Sequence, residues 1–269
     1  MPYFQTEDTC RLYYECHGFE AEKPVVVFLN GMTQTVLNWL PQAKAFKKQF
    51  RAILYDARGQ GKSDLGGRSL SPGLHAADLI ALLNALKLKK VHLVGLSHGA
   101  HVALTLTAEA PQRVERLVLC GIGANRSSRA EAVIRSWLAT LKNSGLEAMV
   151  RSAMPVIFGY AYLEKHSRIL DKIVRAIVLR NRETALAAHL SAMLAYPNPS
   201  DSAMKITHPC LVISADADPL VNPQNANRLE ESCGGTDVLI NGSGLTLTAE
   251  SPVRFNRCVL AFLEKELRD

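Results

Sequence analysis

No histidine occurs beyond His208, no two cysteines fall at redox or metal-binding spacing, and no apolar run approaches membrane length. The six cysteines, Cys10, Cys16, Cys120, Cys210, Cys233 and Cys258, form no CxxC pair and have no histidine partner at zinc-like spacing. A chain of 269 residues needs no disulfide staples, so they read as reduced, mostly buried apolar residues. Neither a metal nor an organic cofactor is implied. No window supplies the roughly 18 uninterrupted apolar residues of a bilayer span. Residues 1–7 carry neither the basic n-region nor the apolar h-region of an export signal. These absences predict a soluble, unexported, cytoplasmic protein without a membrane span. Internal repeats and low-complexity stretches are also missing.

What is present suffices for a packed core. The composition is 48% hydrophobic and 21% charged, with mean hydropathy +0.02, which excludes wholesale disorder. The formal charge of +6 is unevenly placed: residues 125–205 hold 12 basic and 6 acidic residues, and the rest of the chain is balanced. No compact basic tract or aromatic platform accompanies this excess, so nucleic acid is a poor fit.

Short apolar runs alternate with helical patterns. Strands are expected at 3–6 and 11–16 as a hairpin, then at 25–29, 52–55, 91–95 and 114–120, with helices at 37–46, 74–86 and 100–108 between them. This rhythm argues for a mostly parallel sheet with helices on both faces. Between residues 125 and 205 the strand signals vanish in favour of helical ones, broken at Asn143-Ser144-Gly145, Pro155, Gly159 and Pro197-Asn198-Pro199. The rhythm resumes with strands at 210–214 and 238–240 and helices at 225–231 and 252–267. One α/β core, residues 1–124 and 206–269, is thus expected to carry a helical cap inserted at 125–205.

The sharpest motif is Gly95-Leu96-Ser97-His98-Gly99, lying between a predicted strand and a predicted helix. This is the context of a nucleophile elbow, in which small residues permit a tight turn that lifts the serine hydroxyl above the sheet. The helix that begins there directs its unpaired N–H groups and positive dipole end at the site, favouring a developing oxyanion.

With these residues the chain resembles the α/β-hydrolase superfamily over essentially its whole length. Phe28-Leu29-Asn30-Gly31-Met32 is similar to the family's oxyanion loop, with Asn30 where histidine is usual. Asp56-Ala57-Arg58-Gly59-Gln60-Gly61-Lys62-Ser63 is similar to its D-x-R-G-x-G-x-S turn. The resemblance implies Ser97 as nucleophile and the backbone N–H groups of Met32 and His98 as the oxyanion hole. It also implies an acid after a late strand. In Ser214-Ala215-Asp216-Ala217-Asp218 the family register selects Asp218, with Asp216 as competitor.

The catalytic histidine is expected in a G-H-x-x-x-x-E-x-P-type segment. Here the segment reads Gly242-Ser243-Gly244-Leu245-Thr246-Leu247-Thr248-Ala249-Glu250-Ser251-Pro252, and Leu245 takes the histidine's place. Leucine cannot accept the serine proton. Losing this base in a serine protease costs about 10⁶ in kcat, or about 8 kcal/mol of barrier. His98, His101, His189 and His208 are the substitutes to weigh; His98 follows the nucleophile and is expected to point away from it, and His189 is expected over the pocket.

Three readings follow. The chain is a serine hydrolase or acyltransferase of carboxyl esters or thioesters, impaired by Leu245. Alternatively, it is a non-catalytic relative that binds a small apolar or acyl ligand, or a regulatory protein that docks an acidic partner on its basic cap. Under the first reading that charge suits an anionic acyl donor, an acyl carrier protein or coenzyme A.

Overall fold

A computed structural model describes residues 3–264. The hairpin β1 (Tyr3–Gln5) and β2 (Arg11–His17) precedes β3 (Val25–Leu29), α1 (Val36–Phe46), β4 (Arg51–Tyr55), α2 (Pro72–Ala85), β5 (Val91–Leu96), α3 (His98–Glu109) and β6 (Val114–Cys120). Five α-helices follow: α4 (Ser128–Ile157), α5 (Tyr160–His166), α6 (Leu170–Arg180), α7 (Glu183–Met193) and α8 (Pro199–Ala203). The chain closes with β7 (Cys210–Ala215), α9 (Pro223–Cys233), β8 (Thr236–Ile240), α10 (Leu247–Glu250) and α11 (Pro252–Leu263). The end of the closing helix expected at 252–267 lies outside the described residues. None of the described helices is long and apolar enough to cross a membrane.

One eight-stranded sheet runs in the order β1-β2-β4-β3-β5-β6-β7-β8, antiparallel at β1-β2 and β2-β4 and parallel thereafter. This is the α/β-hydrolase fold that the sequence predicts. Its alternating strand residues divide the core. Val25, Val27 and Leu29 pack with α2, α3 and α9, whereas Val26 and Phe28 pack with α1 and α11. Strand order reverses around β3, whose neighbours are β4 and β5, and Leu29 pairs with Gly95. Crevices form at the carboxyl ends of strands beside such a reversal, so the loops after β3 and β5 are where a site belongs.

The helices start where the sequence provides caps. The hydroxyl oxygens of Ser71 and Ser127 accept the N–H groups of Leu74 and Ala130 at 3.1 Å each, opening α2 and α4. Gly145, at φ +80°, kinks α4 where a break is expected, and Gly159 caps α5. Pro155 does not end its helix as expected. It lies in the last turn of α4, three residues before Phe158, where a missing N–H removes one solvent-side hydrogen bond. Helices α4 to α7 share an apolar cluster of their own, built on residues such as Leu141, Met149, Met154, Leu186 and Leu190.

Candidate functional site

The turn from β5 into α3 places Ser97 at φ +52°, ψ −111°, a backbone state that costs about 1–3 kcal/mol. Its neighbours hold it there. Ser97 N–H donates to the Cys120 carbonyl at 2.7 Å, and its own carbonyl accepts His101 N–H at 3.1 Å. The turn closes only over glycine. A Cβ on Gly95 would stand 2.5 Å from the Gly99 carbonyl oxygen, and one on Gly99 would stand 2.3 Å from the Leu29 carbonyl oxygen. Ser97 is half-buried and lines a cavity of about 170 Å³.

Met32, His98 and Leu245 line the same cavity, together with Ile134, Trp137, Leu186 and Tyr196 from the helical stretch between β6 and β7. The loop carrying Met32 is braced from several sides. Gly31 N–H donates to Gln34 Oε1 at 2.9 Å, and Gln60 Nε2 donates to the Gly31 and Met32 carbonyls at 3.0 and 3.3 Å. Asn30 Nδ2 donates to the Tyr55 carbonyl at 3.1 Å, an anchoring contact within the core. The Asp56 turn adds a second brace: its carboxylate accepts the N–H groups of Val36 and Lys62 at 2.8 and 3.0 Å. Gln34 and Gln60 do not stand out in the sequence, because nothing in their spacing marks a loop brace.

The two late carboxylates differ. Asp216 Oδ1 accepts Gly242 N–H at 2.6 Å on the surface, a turn contact. Asp218 is buried, and its Oδ1 accepts Leu220 and Val221 N–H at 2.8 and 3.2 Å. Burial raises its pKa to about 6 against the lowering effect of those two N–H groups. Leu220 and Val221 line the cavity, so Asp218 stands one layer behind its wall.

Leu245 is itself buried in that wall. The loop carrying it is fixed to the end of α4, where the Ile157 carbonyl accepts Thr246 N–H at 3.1 Å. Glu250 Oε2 accepts the N–H groups of Gly159 and Gly244 at 2.9 Å each. The spacing of Glu250 in the late segment therefore reflects a structural tie.

No side chain among the described residues hydrogen-bonds to the Ser97 hydroxyl, and each of the four candidate histidines is placed otherwise. His98 is buried with its ring beside His75 and His189. His101 lines the cavity edge-on to Tyr196, at 5.4 Å between ring centres. His189 is expected over the pocket, but it lies outside the cavity lining with Nε2 on the Arg58 carbonyl at 2.6 Å. His208 Nε2 contacts the Pro111 carbonyl at 2.9 Å, away from the cavity. The site thus offers a poised alcohol, an apolar chamber and a buried carboxylate, with no proton acceptor on the alcohol.

Comparison with known proteins agrees with this architecture. Residues 24–150 match the model of the alpha/beta hydrolase fold family. RutD of Caulobacter vibrioides, which carries the name of a carbamate hydrolase, is 30% identical over 268 residues, covering 94% of this chain and 95% of its own. The 3-oxoadipate enol-lactonase 1 of Acinetobacter baylyi is 26% identical over 251 residues, covering 90% and 89%. Among solved structures, the enol-lactonase of Burkholderia xenovorans LB400 superposes with a TM-score of 0.90 at 25% identity, covering 98% of this chain and 100% of that one. A sheet reversed around β3, a strained serine after β5 and relatives matched over nearly their full length point one way: the chain belongs to the α/β-hydrolase family.

Proposed function

We propose that this chain is a hydrolase of small carbonyl compounds of the ester, lactone, thioester or carbamate type, with Ser97 as nucleophile and turnover limited by Leu245. The backbone N–H groups of Met32 and His98 receive the oxyanion, Asp218 is the retained acid, and residues 125–205 form the cap over the substrate. The observation that carries this reading is the strained Ser97 backbone beside a cavity, since a site kept for binding alone has no need of that turn. RutD and the enol-lactonases support the substrate range by their names. The apolar lining suits a compact, mostly uncharged substrate.

Attack by the Ser97 oxygen on the carbonyl forms a tetrahedral oxyanion, whose collapse expels the alcohol, thiol or amine and leaves an acyl-enzyme for water to cleave. Without a base, the hydroxyl proton passes to solvent, and catalysis falls to the roughly 10³–10⁴-fold over water that binding and oxyanion stabilisation provide.

Leu245→His tests the reading. Hydrolysis of a short-chain aryl ester or enol-lactone should rise by at least about 10², and Ser97→Ala in that background should abolish the gain. An absent gain, in a variant that still folds, favours ligand binding without turnover. That second reading draws on the burial of Leu245 in the cavity wall, which makes the chamber continuous and apolar there.

The positive excess of residues 125–205 is partly engaged within the chain. Arg135 pairs with Glu131, Arg151 with Glu147 and Asp171, and Arg126 donates to the Met193 carbonyl. Arg129, Lys142, Lys165, Arg168, Lys172 and Arg175 remain exposed. If they attract a coenzyme A or acyl-carrier thioester, kcat/KM for that donor falls with ionic strength while that for a neutral ester does not. Equal salt dependence removes the anionic donor from the proposal. It would also count against docking of an acidic partner on this surface.

A further inference from the structure

Helices α2, α3 and α7 each bring one histidine to a single buried spot. His75, His98 and His189 are only 1%, 2% and 1% exposed, and each offers a ring nitrogen within 4.8 Å of the other two. The rings of His75 and His189 are parallel with centres 5.5 Å apart, and His98 stands edge-on to them at 4.9 and 5.3 Å. Burial of this depth disfavours a charged imidazolium, and the neutral ring is the form in which histidine binds metal.

A neutral imidazole carries one N–H donor and one lone pair, and burying either without a partner is unfavourable. In this cluster only His189 Nε2 has a hydrogen-bond partner, the Arg58 carbonyl at 2.6 Å. The other five ring nitrogens have none. Because a carbonyl only accepts, His189 carries its proton on Nε2 and keeps the Nδ1 lone pair unpartnered. An N–H oriented on a carbonyl, with the opposite nitrogen left to donate, is how proteins orient metal-ligating histidines.

We propose that His75, His98 and His189 form a buried site for one divalent transition-metal ion of the zinc type, which pins the inserted helices to the core behind the Ser97 turn. Zinc holds imidazole nitrogens at about 2.0–2.1 Å, which sets them roughly 3.3 Å apart in a tetrahedral site. Ligand nitrogens within 4.8 Å of one another need to close by at most about 1.5 Å to reach it. Three protein ligands leave the fourth position to solvent. His98 belongs to both the cluster and the cavity lining.

The test uses the full chain without an affinity tag, stripped with chelator and titrated with Zn²⁺ and Co²⁺. One ion per chain, a tetrahedral Co²⁺ visible spectrum and a Zn²⁺-dependent rise in Tm that chelator reverses are expected. His189→Phe and His75→Gln should weaken Zn²⁺ binding at least about tenfold and remove the Tm shift. His101→Phe, which alters another buried histidine of α3, should leave both unchanged. Binding unaltered by His189→Phe and His75→Gln, as for ions on the exposed Cys16, overturns the site. If neither variant folds, the unmodified chain decides: octahedral Co²⁺ or no stoichiometric binding overturns it.

Discussion

Leu245 lies over Gly121 so closely that a methyl group on the glycine would stand 2.6 Å from Leu245 Cδ1. Gly121 follows β6 directly, at φ +58°, so its backbone also favours glycine. The leucine and the glycine, from two different loops, together make an apolar patch of the cavity wall.

Gly121→Ala is therefore expected to lower stability by about 2–4 kcal/mol, combining left-handed strain with overpacking. In a Leu245→Ala background the overpacking is relieved, so the two substitutions should be less than additive by about 1 kcal/mol or more. Urea denaturation of the four proteins gives the coupling directly. Strict additivity would place the Leu245 side chain elsewhere.

Asp218 gives a pH prediction. Its folded pKa of about 6 lies above the 3.8 of an ordinary aspartate, so folding takes up a proton. The contribution is fully favourable below the unfolded pKa and is lost as pH rises through about 4 to 6. Asp218→Asn removes this dependence, so the variant should gain stability relative to the parent by about 1–3 kcal/mol between pH 4 and pH 7. In the parent, Asp218 has no histidine to orient, and Asp218→Asn should change ester turnover less than tenfold. With Leu245→His in place, the same substitution should cost on the order of 10³–10⁴ in kcat. A uniform effect in both backgrounds would separate Asp218 from the nucleophile.

The sequence makes the sheet legible because the central strands β3 to β7 are mostly apolar runs ended by glycine or polar residues. The strand at 114–120 and the serine turn emerge where their patterns place them. Local spacing also marks Leu245 as the departure. Contacts that join distant segments leave no such mark. His75, His98 and His189 come from α2, α3 and α7 and become neighbours only when these helices pack together. The role of Glu250 is hidden likewise, since its partner Gly159 is 91 residues away.

Arg58 sits at zero side-chain exposure, donating to Asp78 at 2.6 and 2.8 Å and to Asp8 at 2.6 and 2.7 Å. The pairing raises the arginine pKa and lowers that of Asp8. Arg58→Met fills similar volume but strands the Asp78 carboxylate in the interior. It should cost about 3–5 kcal/mol in chemical denaturation. Combining it with Asp78→Leu should restore part of the loss, because both buried charges are then gone. A loss under 1 kcal/mol for Arg58→Met alone would contradict the buried pairing.

Glu250 fastens two backbones that glycine allows to meet: a Cβ on Gly244 would stand 2.5 Å from Gly159 N, and Glu250 accepts the N–H of both residues. The Thr246 hydroxyl, 2.8 Å from Glu250 Oε1, extends the tie to the residue after Leu245. Glu250→Ala leaves these donors without their charged acceptor and should destabilise the chain by about 2–4 kcal/mol. Hydrogen exchange should quicken most at the amides of Gly159, Gly244 and Thr246, with the strands β3 to β7 unchanged. The same loop sets the position of residue 245, so the activity gained by Leu245→His should shrink at least about tenfold in a Glu250→Ala background. If that gain survived in full while the three amides exchanged freely, residue 245 would owe its position to the sheet rather than to the contact between the late loop and α5.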